Sequence, residues 1–246
     1  MVVWVPSGLE ALRLGGLGRW EGCVVAELGQ VKVGVLGGTG PQGRGLALRW
    51  AKAGISVILG SRSADRAEEA AGELRALAGV EHVSGLDNKA TATEADVVLV
   101  AVPWEGHADL LQSLKQELAN KIVIDCVNPL GFDKQGPFAL SVAEGSAAQQ
   151  AEQALPDSRV TAAFHHVSAV VLADLSIAEV DIDVLVLGDD REATDIVRAL
   201  ADAIPGMRGI YGGRLRNAHQ VEALTANLIA VNRRYKAHAG LRITDV

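Results

Sequence analysis

The stretch at residues 31–43, VKVGVLGGTGPQG, constrains this chain more than any other. A β-branched run (Val31, Val33, Val35) ends in a glycine turn, and the turn opens directly onto a helix-forming segment, GRGLALRWAKAG. Gly38, Gly40 and Gly43 fit the pattern G-x-G-x-x-G. Each answers a physical demand: the first permits a tight strand-to-helix turn, the second lets a pyrophosphate approach the backbone, and the third lets helix and strand pack closely. Amides at the start of the new helix then face the phosphates. Alone the motif is generic. Between a strand and a helix it predicts a dinucleotide-binding unit.

The remaining sequence is suited to a layered domain around that turn. At 246 residues there is room for one large domain, or one domain with a small second part. Aromatic residues are only 4% of the chain, so a core must rest on Val, Leu, Ile and Ala. A net charge of −7 argues against a general nucleic-acid or anionic-membrane surface. No apolar run approaches the length of a membrane span. Cys23 and Cys126 cannot make a disulfide framework, Cys126 reads as a small buried thiol, and no Cys/His cluster suggests a metal. The expected partner is a small molecule.

Three regions are expected. Residues 1–30 are glycine-rich without a sustained apolar period, and read as a poorly specified extension. They lack the basic start and apolar core of a secretory signal, so a cytoplasmic location is expected. Residues 31–205 read as the nucleotide-binding domain with a cleft-lining segment, and residues 206–246 as a smaller helical part. Strands are predicted at 31–36, 55–59, 95–102, 121–127, 160–164 and 183–187, with a weaker one within 79–88. Helices are predicted at 43–53, 64–77, 108–118, 147–155 and 191–203. Near the end, Val221, Leu224, Leu228, Val231 and Tyr235 mark one apolar helix face, which packs on the sheet or on a second subunit. Alternating strands and helices predict an α/β fold, a doubly wound parallel sheet with right-handed crossovers.

The end of the second strand tells which dinucleotide is read. NAD calls for an acidic residue there, accepting from the free ribose 2′-hydroxyl. This chain has Gly60-Ser61-Arg62-Ser63, with Arg66 one helical turn further on. A guanidinium pairs bidentately with a 2′-phosphate, and Ser61 adds a hydroxyl donor. The competing reading is that both arginines are solvated helix-start charges. NADP is expected over NAD.

Further ligand contacts should lie at the C-terminal edge of the sheet. Pro103-Trp104 and Asn128-Pro129 follow successive strands there. Trp104 either walls a planar ring or caps the core. His165-His166 follows a strand, where neighbours alternate in direction, so at most one should enter a cleft. His82, His107, His219 and His238 show no partner pattern.

Together, VGVLGGTGPQGRGLALRWAKAG…VILGSRS, AVPWEGH and AFHHVSA resemble the NADPH-dependent coenzyme F420 reductases (F420H2:NADP oxidoreductases), from residue 31 to the C-terminus and most strongly through Ala169. The combination of LGGTG, GSR and VPW carries the resemblance. It implies a Rossmann-type fold with a smaller C-terminal part, a cleft where a deazaflavin stacks on nicotinamide, and a homodimer. It implies that Thr39, Gly40, Pro41 and Gln42, with Gly38 and Gly43 of the motif, bind the pyrophosphate. Ser61, Arg62 and Arg66 match the 2′-phosphate site. Val102, Pro103 and Trp104 lie beside nicotinamide with Ala169, and His165 and Val167 line the deazaflavin site. The extension, Asn128-Pro129 and the final helix depart from the family pattern. Asn128 is placed on the deazaflavin side by its strand-end position.

The implied activity is a reversible hydride transfer between NADP(H) and coenzyme F420, an 8-hydroxy-5-deazaflavin. Such a transfer needs little acid–base help, so no obligatory catalytic residue is expected, and His165 is assigned a hydrogen bond to the deazaflavin. Two other expectations compete. One is an NADPH-dependent reductase of a flavin, imine or metal chelate; the other is a non-catalytic NADP sensor.

Overall fold

The computed structural model describes residue 28 and residues 30–246; the extension expected at residues 1–30, with Cys23, otherwise lies outside the described residues. In chain order the first half is β1 (Lys32–Leu36), α1 (Pro41–Lys52), β2 (Ser56–Ser61), α2 (Ala64–Ala78), β3 (Val83–Asp87), α3 (Asn88–Glu94), β4 (Val97–Val100), α4 (His107–Ser113) and β5 (Ile122–Asp125). A hairpin of β6 (Leu130–Asp133) and β7 (Gly136–Ala139) follows, then α5 (Ala147–Ala154), β8 (Arg159–Ala162) and α6 (Ala169–Ala173). The chain continues through β9 (Ile182–Gly188), α7 (Arg191–Asp202), β10 (Met207–Gly213) and α8 (Ala218–Tyr235).

Eight strands form one sheet in the order β10-β9-β8-β5-β4-β1-β2-β3, parallel throughout except between β8 and β9. β4 (VVLV) and β5 (IVID) are buried along their full length, as continuous apolar strands covered on both faces should be. Helices α2, α3, α5, α6 and α7 begin at Ser63, Asp87, Ser146, Ser168 and Asp190. In each case the side chain accepts from the amide three residues on. Trp50 of α1 is fully buried, donates Nε1–H to the Leu200 carbonyl at 2.9 Å, and meets Phe164 edge to face.

Several elements depart from the expected ones. β3 gives a weak strand signal because it contains Gly85. A Cβ there would sit 2.1 Å from the Ala67 carbonyl carbon, so glycine lets α2 lie directly on the strand. The threonine-rich α3 is a poor helix former, fixed by its Asp87 cap and by burial of Thr91 and Ala92. The predicted helix over 108–118 is α-helical only to Ser113. The boundary expected at 205/206 cuts through the sheet, because Met207–Gly213 is its edge strand β10; three glycines in MRGIYGG hide it. At that edge the buried Asp183 accepts from Arg208 at 2.7 Å, Arg242 at 2.8 Å and the Ile243 amide at 2.6 Å, tying down the C-terminal tail.

Candidate functional site

The glycine turn leaves β1 at Leu36. Gly37 has φ +81°, and a Cβ there would fall 2.3 Å from the Ala101 carbonyl, so this residue makes the reversal. The motif reading passed over it in favour of Gly38, Gly40 and Gly43. The Gly38 amide donates to the carbonyls of Val35 and Gly60, binding the turn to the end of β2. A Cβ on Gly43 would lie 2.8 Å from Val35 Cγ1, so the close packing of α1 on β1 is literal. Pro41 opens α1, and Gly40 offers no side chain to its first amides, which stay free for an anion.

A cleft of about 480 Å³ lies over this turn at the C-terminal edge of the sheet. Gly37, Thr39 and Gly40 form its centre. Because β1 lies between β4 and β2, Ser61, Arg62 and Arg66 face it from one side, and Ala101, Val102, Pro103, Gly106 and Leu110 from the other. Asn88 also lines it. Ser61 Oγ accepts from the Ser63 amide at 3.4 Å and keeps its own hydrogen to donate. Arg44 is neutralised by Glu73 at 2.6 Å, whereas Arg62 and Arg66 make no salt bridge among the described residues. Free amides, a hydroxyl and two guanidiniums, with no acid among the residues that line the cleft, fit a phosphorylated ribose and its pyrophosphate.

Nine of the expected residues stand back from this cleft: Gly38, Pro41, Gln42, Gly43, Trp104, Asn128, His165, Val167 and Ala169. Most of them belong to a second assembly built on α1. The Gln42 side chain donates to the Phe164 carbonyl at 3.3 Å. One turn on, Gly45 is so close to α6 that a Cβ would lie 2.7 Å from Leu172 Cβ. Arg49, buried, donates to the carbonyls of Leu172, Ile177, Val171 and Asp174 at 2.7–2.9 Å. Residues 42, 45 and 49 share one helix face. That face carries the segment from Phe164 to Ile177, with His165, Val167 and Ala169 upon it.

Phe164 is fully buried with φ +65°, an unusual backbone for a bulky residue, held by Trp50 at 5.5 Å. The strand expected to reach 164 ends at Ala162, so His165 and His166 follow a bend and do not alternate; both are buried. All four ring nitrogens lack a hydrogen-bond partner among the described residues. Burial, reinforced at His165 by His166, pushes the two imidazoles down to about 3 and about 4, so both are neutral near pH 7. Asn128 donates to the His165 carbonyl at 3.0 Å, and Thr225 Oγ lies 3.2 Å from both Asn128 Oδ1 and that carbonyl. Thr225 was not anticipated.

Sequence reasoning also missed a buried polar cluster behind Trp104. His107 Nε2 lies 2.6 Å from Asp125 Oδ2 and its Nδ1 lies 2.9 Å from Gln150 Oε1, with both the imidazole and the carboxylate fully buried. Burial opposes the imidazolium, but Asp125, Gln150 and Glu222 more than offset it and raise its pKa. Glu222 of α8 accepts from the Ala147 and Ala148 amides, and burial with the nearby Asp125 pushes it up to about 7. No local pattern connects these residues.

Residues 32–129 match the family described as NADP oxidoreductase, coenzyme F420-dependent. The chain is 40% identical over 223 residues to the F420-dependent NADP reductase of Methanocaldococcus jannaschii, covering 88% of this chain and 99% of that protein. It is equally identical over the same length to the F420-dependent NADP reductase of Methanothermobacter thermautotrophicus, covering 96% of it. Among solved structures, a candidate F420-dependent NADP reductase of Arthrobacter sp. FB24 superposes with a TM-score of 0.74 at 25% identity, covering 87% of this chain and 99% of that one.

Proposed function

This chain belongs to the F420-dependent NADP reductase family, and on that premise we propose that it moves a hydride between NADP(H) and coenzyme F420. The observation that carries this is the joining of two half-sites by one helix. The N-terminus of α1 faces the phosphate cleft, and the side chains of Gln42 and Arg49, with the bare backbone of Gly45 between them, carry the histidine segment.

Bound NADP supplies the carbon that gives or takes the hydride. The chain holds and orients. Ser61, Arg62 and Arg66 hold the 2′-phosphate, and Thr39, Gly40 and the first amides of α1, including those of Gln42 and Gly43, hold the pyrophosphate. The Gln42 side chain is engaged with Phe164, so its part at the phosphates is through the backbone. Val102 and Pro103 wall the nicotinamide and exclude water, with Trp104 backing that loop against His107. The deazaflavin is received by His165, Asn128 and Val167, with small Ala169 beside the nicotinamide. A neutral His165 with no partner among the described residues is suited to hydrogen-bond a head group without gaining charge. No side chain is required to move a proton during transfer.

The same reading includes a homodimer and a cytoplasmic location. Phe132 of the hairpin and Tyr235 of α8 are 61% and 73% exposed, on elements that pack together, and apolar side chains of this kind support a subunit contact. No helix among the described residues is long and apolar enough to cross a membrane.

The test is to mix the purified protein with NADPH and oxidised deazaflavin and follow loss of the deazaflavin's visible absorbance. Turnover is expected. Tight NADPH binding without turnover would sink the reading, and turnover of a flavin in its place would transfer it to a reductase of another acceptor.

A further inference from the structure

We propose that His107 and Asp125 form a positioning pair that holds the nicotinamide wall in register with the acceptor-side strand end at Asn128. The inference deepens the functional reading above and rests on it. His107 follows the short 3₁₀ turn Trp104–Gly106, and its ring lies 5.6 Å from that of Trp104 with the planes tilted by 30°. Asp125 ends β5. Its Oδ1 accepts from the Val127 amide at 3.0 Å, one residue before Asn128, which in turn holds the His165 carbonyl. The 2.6 Å contact between His107 and Asp125 therefore staples together two loops, one carrying Val102, Pro103 and Trp104 and the other carrying Asn128.

Both ring nitrogens of His107 lie within hydrogen-bond distance of side-chain oxygens, an arrangement that favours the protonated ring with both hydrogens directed. A buried ion pair is a poor source of stability, since apolar residues of similar volume often pack as well. What it supplies is direction. A displacement of about 1 Å between a hydride donor and acceptor can cost about a hundredfold in rate. The charged or titratable groups facing His107 are Asp125 from β5, Glu222 from α8 and, through Gln150, Glu144 ahead of α5.

Asp125→Asn and His107→Gln test this with three measurements: NADPH dissociation constant, nicotinamide emission in the binary complex, and kcat with deazaflavin. Because Ser61, Arg62 and Arg66 are untouched, the dissociation constant should stay within about twofold while kcat falls at least about tenfold. The emission should revert toward that of free NADPH. Losing Asp125 should also lower the His107 pKa, moving the alkaline decline of kcat to lower pH, which a purely structural role would not do. Wild-type kcat and emission in both variants, or equal losses in binding and kcat, overturn the proposal. Glu222→Gln keeps both partners and serves if Asp125→Asn fails to fold: its alkaline limb must also move down, and an unmoved limb overturns the proposal. If the wild type binds NADPH but does not turn over deazaflavin, the functional reading falls, and the binary-complex emission of the variants still decides the pair.

Discussion

On the proposed function, one side chain, at position 62, should separate two cofactors. Arg62 faces the cleft with no carboxylate of its own, so its replacement is felt by the ligand alone. Arg62→Asp sets a carboxylate against a 2′-phosphate and removes a charge-assisted contact of about 1.5–3 kcal/mol. kcat/KM with NADPH should fall about 10- to 100-fold while that with NADH changes little; equal losses for both would reject the NADP assignment. Titration gives a second test at this scale. His165 and His166 are held neutral near 3 and 4, below the ordinary 6.5, so the unfolded chain binds more protons and stability falls as pH drops below about 6.5. Glu222 acts in the opposite sense: near 7 against an ordinary 4.5, its stabilising proton is lost as pH rises through that window. Urea midpoints between pH 4.5 and 6.5 should therefore show a flatter acid limb in His165→Asn and a steeper one in Glu222→Gln. Ser61, Arg62 and Arg66 were legible because they are near neighbours in sequence on one strand–helix junction. His107 was not, because its partners arrive from 125, 150 and 222, and Gly37 was missed because the motif does not reveal which glycine turns to positive φ.

Among elements, α1 does two jobs with two kinds of signal. Its cleft-facing end was readable from the glycine spacing. Its docking face was not, because Gln42, Gly45 and Arg49 look like an ordinary polar stripe until α6 is laid against them. Arg49→Met would leave four carbonyls of the 171–177 segment without their buried donor, at a cost of roughly 3 kcal/mol or more. The urea midpoint should drop accordingly, with KM for deazaflavin rising more than the NADPH dissociation constant. An unchanged midpoint would show that the carbonyls find water or other donors. Continuous apolar runs gave away β4 and β5, since burial on both faces demands them. Elements shaped by tertiary contact were hidden: α3 depends on its cap and two buried residues, and β10 is a glycine-rich strand that exists by pairing with β9.

For the whole molecule, alternating strands and helices predicted the doubly wound sheet, whereas the reversal at β9 and the edge position of β10 depend on pairings that no local pattern encodes. If the exposed aromatics of the hairpin and α8 meet a second copy, Phe132→Asp with Tyr235→Asp should halve the mass seen in sedimentation and leave the far-UV spectrum unchanged. A monomeric wild type would reject the dimer. One feature reaches further. Among the described residues, the β2–α2 junction, with Ser61, Arg62 and Arg66, makes no hydrogen bond to the segment from Phe164 to Ile177, which is held instead by α1. On the proposed function, cofactor preference and acceptor preference are thus written on separate pieces of chain. Either can drift, or be exchanged for the matching piece of a relative, without rewriting the other, so long as the helix between them keeps its face.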